Sequence, residues 1–363
     1  MLNPDTAKLR SISTFNYNKN IRPISLGTTV AYMDNSGKFS RFMEMANIAR
    51  EGEPNVVNQS QVVPTLIPKG VDLFTNSREN NLVLIGKTDS DEVQGFRYLN
   101  VGDKRQQSAW FRWKFNNPIK YHFVINDEYY FLDTDNFLQE VRLVQTESDP
   151  FIIQDNVDYL LHIDNHIPIT GGTFNHNDNK TTFTGVTWIP SVTTPSYDLV
   201  AIDTNTASTR VGRYAKATIQ NNTEFTLPGD WSGTSIFVGY LYEYKVLFPT
   251  FYVTQTQGQQ AKADVNSSLV VHRMKLHFGK IGLYETTLSR VGKNDYTEVY
   301  ESTELDEYDV SDAPYIEEFI KTIPVYERNT NVDITLKSQH PAPSTLRAVS
   351  WEGDFSPKYY KRV

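Results

Sequence analysis

From residue 71 onward the chain divides its apolar residues into runs too short for ordinary helices, with a polar turn every few residues. "VDLFTN" (71–76) is closed by "RENN", "LVLIGK" (82–87) by "TDSDE", and "VQGFRYLN" (93–100) by "VGDKRQQ" before "SAWFRWKF" (108–115). A second set follows the same plan: "IKYHFVI", "ND", "EYYFLD", "TDN", "FLQEVRLV". Short runs rich in β-branched and aromatic residues, separated by Asn, Asp and Gly, are antiparallel strands joined as meanders. Two successive meanders of roughly 40 residues each resemble propeller blades, and a sandwich built from the same strands stays open. Aromatic residues make up 13% of the chain, with 21 Tyr and 20 Phe, which suits broad pleated surfaces better than helical bundles.

The segment before this pattern, 1–70, is less regular. Its "SRFMEMANIARE" (40–51) carries helical spacing, with Phe42, Met45, Ile48 and Ala49 on one face, and Gly52 and Pro54 stop it. Beyond 150 the composition shifts toward Thr, Asn, Asp and Gly, as in short strands with long polar loops. The polar stretch "TQTQGQQAKADVNSS" (254–268) marks a boundary, and alternation resumes after it. There Val270, His272, Met274, Leu276 and Phe278 fall on one face of a strand, and Arg273, Lys275 and His277 on the other. The expected class is therefore all-β in three parts: a propeller-like meander region (1–154), a small β-barrel or sandwich (155–253), and a C-terminal antiparallel region (254–363).

Composition excludes several functions. A net charge of −8 rules out a chain-wide electrostatic hold on nucleic acid. With no cysteine there are no disulfides or thiolate metal sites, and folding in a reducing cytoplasm is expected. The first twenty residues lack a basic segment followed by an apolar core, so no signal peptide is expected there. No apolar run is long enough for a membrane-spanning helix. Asn58, Asn221 and Asn266 open Asn-x-Ser/Thr triplets, read here as chance matches.

Candidate chemistry is sparse. Asp133, Asp135 and Asn136 sit between two strands, where a helical calcium loop would need an oxygen ligand at Phe137 and a glycine at Leu138. The turn reading is preferred, with the carboxylates capping backbone N–H groups. The acidic "TDSDE" (88–92) is likewise a solvated hairpin tip rather than an acid–base pair. "HIDNH" places His162, Asp164 and His166 at a spacing of two, with His176 nearby, a donor set for a divalent metal if the strand bends. A polar outer face is the preferred reading. His272, on the apolar face, reads as a hydrogen-bonded core histidine rather than a base. No nucleophile elbow, phosphate-binding glycine loop or zinc-protease helix is present. We therefore nominate no catalytic, cofactor-binding or metal residues. The closing "KYYKRV" mixes basic and aromatic side chains, able to touch a phosphate backbone but better read as a tail or a contact to a neighbouring subunit.

Several stretches in order, "RPISLGTTVAYMDNSGKFSRFMEMANIAREGEPNVVNQSQVV" (22–63), "NPIKYHFVINDEYYFLDTDNFLQEVRL", "VVHRMKLHFGKIGLYETTL" (270–288) and "TIPVYERNTNVDITLKSQHPAPSTLRAVSWEGDF" (322–355), with a final Lys-Arg-Val, resemble the tail tubular protein B, or nozzle, family of short-tailed phages. The likeness is to nozzle proteins of marine cyanophages in particular. It implies a β-rich, partly propeller-like subunit of the virion tail, without enzymatic activity or cofactor, folded and assembled in the host cytoplasm. Such subunits form hexamers beneath the portal and adaptor, hold tail fibres, and line the channel through which DNA leaves without specific binding. The family's members are longer, and this chain matches their C-terminal portion. The resemblance also gives the negative charge a use, since an acidic lumen would repel DNA phosphates. Segment 40–63 and the C-terminal tail are the expected interface contributors. The rival reading is a carbohydrate-binding or carbohydrate-cleaving tail protein, with Trp110, Trp113, Trp188 and Trp231 as stacking platforms. Cleavage would also need two opposed carboxylates, and no such pair stands out.

Overall fold

A computed structural model describes residues 16–48, 53–101, 104–143, 149–154, 156–186, 198–206, 208, 211–221, 223–257, 260–265, 267–300 and 315–357. Every regular element among them is a strand, and the strands pair antiparallel throughout, so the chain is all-β. The chain divides into two compact units, Met1–Thr146 and Glu147–Val363.

The first unit contains β1 (Ile24–Ser25), β2 (Thr29–Asp34), β3 (Arg41–Ile48), β4 (Glu53–Asn58), β5 (Leu73–Ser77), β6 (Leu82–Gly86), β7 (Ser90–Val101), β8 (Lys104–Ile125), β9 (Glu128–Asp133) and β10 (Leu138–Val141). Strands β1 to β4 form one meander and β5 to β10 a second, six-stranded one.

Two expectations change here. The run 40–51 is not helical: its described part is β3, paired to β2 through Met33↔Phe42 and to β4 through Met43↔Asn58. Phe42 and Met43 are adjacent and both fully buried, which suits a central strand and not a one-faced helix. Pro54 lies on β4, at the sheet edge, where its missing N–H costs no ladder bond. Ala49 and Gly52 lie outside the described residues.

The two expected blades, in turn, are one sheet. Strand β8 runs for 22 residues through both "SAWFRWKF" and "IKYHFVI". Its first half pairs with β7 (Phe96↔Trp110) and its second with β9 (Phe123↔Tyr130), and Ile119 sits opposite both Ser90 and Asp133. Register shifts on either side of Ile119, between Lys114 and Ile119 against β7 and between Ile119 and Tyr121 against β9, let a single strand serve both neighbours. The sheet is apolar on both faces. Val83, Ile85, Phe96 and Tyr98 pack with Phe42, Met33 and Ile67, whereas Leu84, Val93, Ile119, Tyr129 and Phe131 gather Phe111, Trp113 and Phe115 on the other side. The Phe111 ring lies over Gly95, its cross-strand partner, where a Cβ would meet the ring at 2.1 Å. Asn126 and Asp127, both at positive φ, make the tight β8–β9 turn that such two-residue hairpins require.

In the second unit, Leu199–Asp203 is the most buried strand. Its sheet, ordered Asp164–Ile169, Ile236–Tyr240, Leu199–Asp203, Tyr214–Lys216, faces a second sheet built from Thr173–Asn175, Lys180–Thr184, Glu224–Pro228 and Thr218–Asn221. Between them lie Leu199, Ala201, Val238, Leu227 and the stacked rings of Phe183 and Phe225, 5.0 Å apart. The reverse face, with Val200 and Ile202, packs on Tyr159, Leu161, Ile163, Tyr315 and Ala342. A third core, including Leu269, Val271, Met274, Leu276, Ile323 and Leu336, lies between the sheet Phe319–Arg328, Ser268–Ile281, Ser344–Ser356 and the sheet Tyr244–Leu247, Val332–Ser338, Tyr284–Arg290, Tyr296–Tyr300.

Candidate functional site

Asp133 ends β9 buried, and its Oδ1 accepts the backbone N–H groups of Asp135 (3.0 Å) and Phe137 (2.8 Å). Its Oδ2 accepts from the Asn117 side chain at 3.2 Å, which also reaches Asp135 at 3.1 Å. Asn136 takes φ 67 and accepts from Lys120 at 2.7 Å. The carboxylate is consumed in closing the turn, and the group is a bend between strands.

The "HIDNH" residues do not converge. A bulge between Asp164 and Ile167, with Asn165 at φ 46, breaks the alternation that would align them. His162 faces the Tyr242 ring, His166 faces Phe237 with Nδ1 3.2 Å from the Ile163 carbonyl, and His176 packs on Phe174. Desolvation lowers the His162 pKa and raises that of Asp164. Both residues nevertheless keep substantial solvent-facing surface, which tempers both shifts. Among the described residues no group of three His, Asp or Glu could hold a metal ion.

His272 is not a core residue. A bulge between Val271 and Arg273 reverses the phase of the strand, so the inward row is Leu269, Val271, Met274, Leu276 and Phe278, and Val270 and His272 turn outward. His272 Nε2 lies 3.2 Å from Asp354, and its ring stacks on Tyr326, which the bulge holds at φ 46. Farther along this outer face Glu352 receives Arg273 (3.2 Å) and Lys275 (2.5 Å), and the Lys275 bond holds its carboxyl below the usual range. His277 meets Ser350 at 2.9 Å. The face carries exposed ion pairs between two strands, worth little singly.

The tryptophans offered as stacking platforms are occupied elsewhere. Trp110 packs on Phe42 and Phe96 and donates to the Gln59 carbonyl, Trp113 lies against Phe111 and Tyr129, and Trp231 is buried with its N–H on the Pro228 carbonyl. Trp188 lies outside the described residues.

The sequence reading missed three groups. Arg105 grips Glu44 with both terminal guanidinium nitrogens, joining β8 to β3. His122 is buried with Nδ1 3.1 Å from the Tyr129 hydroxyl, and burial lowers its pKa to about 4. The third is the outward row Tyr121, Phe123 and Ile125 of β8, whose ring Phe123 stacks on Tyr130. Its signal was legible: "YHFVI" is apolar in both phases, so each face of that strand needs a cover.

No curated protein matches the chain by sequence. Among solved structures it is similar to an exo-beta-1,3-galactanase from Phanerochaete chrysosporium. Against the structure with beta-1,3-galactotriose, identity is 9% and the TM-score 0.18, covering 89% of this chain and 65% of that one. Against the structure with galactose, identity is 9% and the TM-score 0.17, covering 93% and 67%. Likeness at that level carries no argument for sugar chemistry. The sequence itself matches the family model described as bacteriophage nozzle protein over residues 1–362, and the chain belongs to that family of structural phage-tail proteins.

Proposed function

We propose that this chain assembles into a hexameric ring in the tail of a short-tailed phage, beneath the portal and adaptor, forming the channel for genome ejection and anchoring the tail fibres. The observation that carries this reading is the family match along almost the entire sequence. Five packed β cores, two in the first unit and three in the second, are compatible with a structural ring subunit. In that ring we assign three parts, the propeller-like meander region (1–154), the small β-barrel or sandwich (155–253) and the C-terminal antiparallel region (254–363). The net charge of −8 suits a lumen that repels DNA phosphates and lets the genome slide. No enzymatic step is part of this function. Electron microscopy of the purified chain mixed with the portal–adaptor complex tests it. Six-fold rings capping the adaptor are expected, and adaptor particles that stay bare at saturating chain would refute the proposal.

A further inference from the structure

The outer face of β8, β9 and β10 presents three short rows. Cross-strand register aligns Tyr121 with Leu132 and Leu138, and Phe123 with Tyr130 and Glu140, and Ile125 lies opposite Glu128. Tyr121 is 58% exposed, Ile125 54% and Leu138 61%, an apolar concentration that a folded surface seldom leaves open. Glu128 accepts the Tyr130 hydroxyl at 2.9 Å, so two carboxylates flank the central ring. Strand β10 is the last of its sheet, and among the described residues no strand pairs with its outer edge. The patch thus offers a peptide both a backbone ladder and a face that is apolar at one end and acidic in the middle.

One segment of this sequence fits those requirements. The described structure ends at Pro357, and the six residues beyond it, Lys358-Tyr359-Tyr360-Lys361-Arg362-Val363, combine three cations with strand-forming side chains. Extended, six residues reach about 20 Å, enough to pass all three rows. We propose that residues 358–363 of a second copy add to β10 as an antiparallel strand, with Val363 against Leu138, Lys361 against Glu140 and Tyr359 against Arg142. Alternation then puts an apolar side chain opposite the apolar row and a cation opposite the carboxylate. The proposal rests on the self-assembly reading above and supplies the contact that this reading lacks.

The absence of native cysteine makes the test clean. Full-length Leu138→Cys and Val363→Cys chains are mixed under mild oxidation, beside a control pairing Val363→Cys with Val291→Cys, an exposed site elsewhere. A disulfide-linked mixed dimer well above the control is the expected result. Charge exchange gives an independent readout: Glu140→Lys or Lys361→Glu alone raises the concentration for half-assembly about ten-fold, and the two together restore it. Absence of the mixed disulfide while the parent chain still assembles would overturn the docking and leave the ring reading intact. Failure of the parent to assemble both with and without the adaptor, seen as a single-chain mass, would overturn both. A disulfide found only within a chain carrying both substitutions would overturn docking between copies.

Discussion

Arg105 places both terminal guanidinium nitrogens on the Glu44 carboxylate, at 2.5 and 2.9 Å, and lies 4.6 Å from the center of the Tyr98 ring. Glu44 also accepts from Thr29 Oγ1 and Gln59 Nε2, so one nearly buried carboxylate ties β2, β3, the turn after β4 and β8 together. Removing one partner leaves the other charge desolvated and unpaired. Arg105→Met is expected to lower the stability of the first unit by about 2–3 kcal/mol, just below the range for broken fully buried pairs because Arg105 keeps some exposure. Denaturant unfolding followed by tryptophan emission from Trp110 and Trp113 reads it. A loss below about 0.5 kcal/mol, the size of an exposed pair, would show that the bridge is ornamental.

His122 is neutral in the folded unit, its pKa brought to about 4 by burial, with Asp72 opposing the shift. Since the unfolded chain binds this proton near pH 6.5, the group's contribution is complete above that value and is lost as pH falls toward 4. The loss amounts to about 3 kcal/mol across that window. His122→Phe should flatten the acid limb of a melting-temperature profile between pH 7 and 4. An unchanged slope would place the acid sensitivity elsewhere.

Gly95 has no room for a side chain, because the Phe111 ring occupies it. Gly95→Val is expected to destabilise by about 1–3 kcal/mol through overpacking. Adding Phe111→Ala should recover part of that loss, as required if the ring is the obstacle. Additive effects in this double-mutant cycle would contradict the contact.

Asp133 acts as a turn cap, so calcium should not matter. Asp133→Ala should cost about 1–2 kcal/mol by stranding the N–H groups of Asp135 and Phe137, whereas Asp133→Asn keeps an acceptor and should cost less. Millimolar calcium should leave the melting temperature of the parent chain unchanged. A calcium-dependent rise abolished by Asp133→Ala would restore the metal-loop reading.

The strands and turns from 71 to 141 were legible because their side-chain chemistry acts locally. Val, Ile and aromatic runs specify extended chain, and Asn126–Asp127 or Asp133 specify the turn by their own backbone bonds. What escaped was decided by distant partners. Phe42, Met45 and Ile48 fit a helical face as well as a strand, and β2 and β4 settle the matter by offering a ladder on both edges. The continuity of β8 through Asn116–Pro118 depends on β7 and β9 meeting at Ile119. A single bulged residue is invisible to a count of alternating positions, yet it turned His272 from the core to the surface and scattered His162, Asp164 and His166. The outward row of Tyr121, Phe123 and Ile125 was legible as apolar, though its openness emerges only once the sheet edge is known.

The central claim is assembly, and mass in solution tests it most directly. Light scattering behind size exclusion, over a range of concentrations and with the adaptor present, should yield a species of six times the 41.6 kDa chain mass. A single-chain mass under every condition, with or without the adaptor, would contradict the ring.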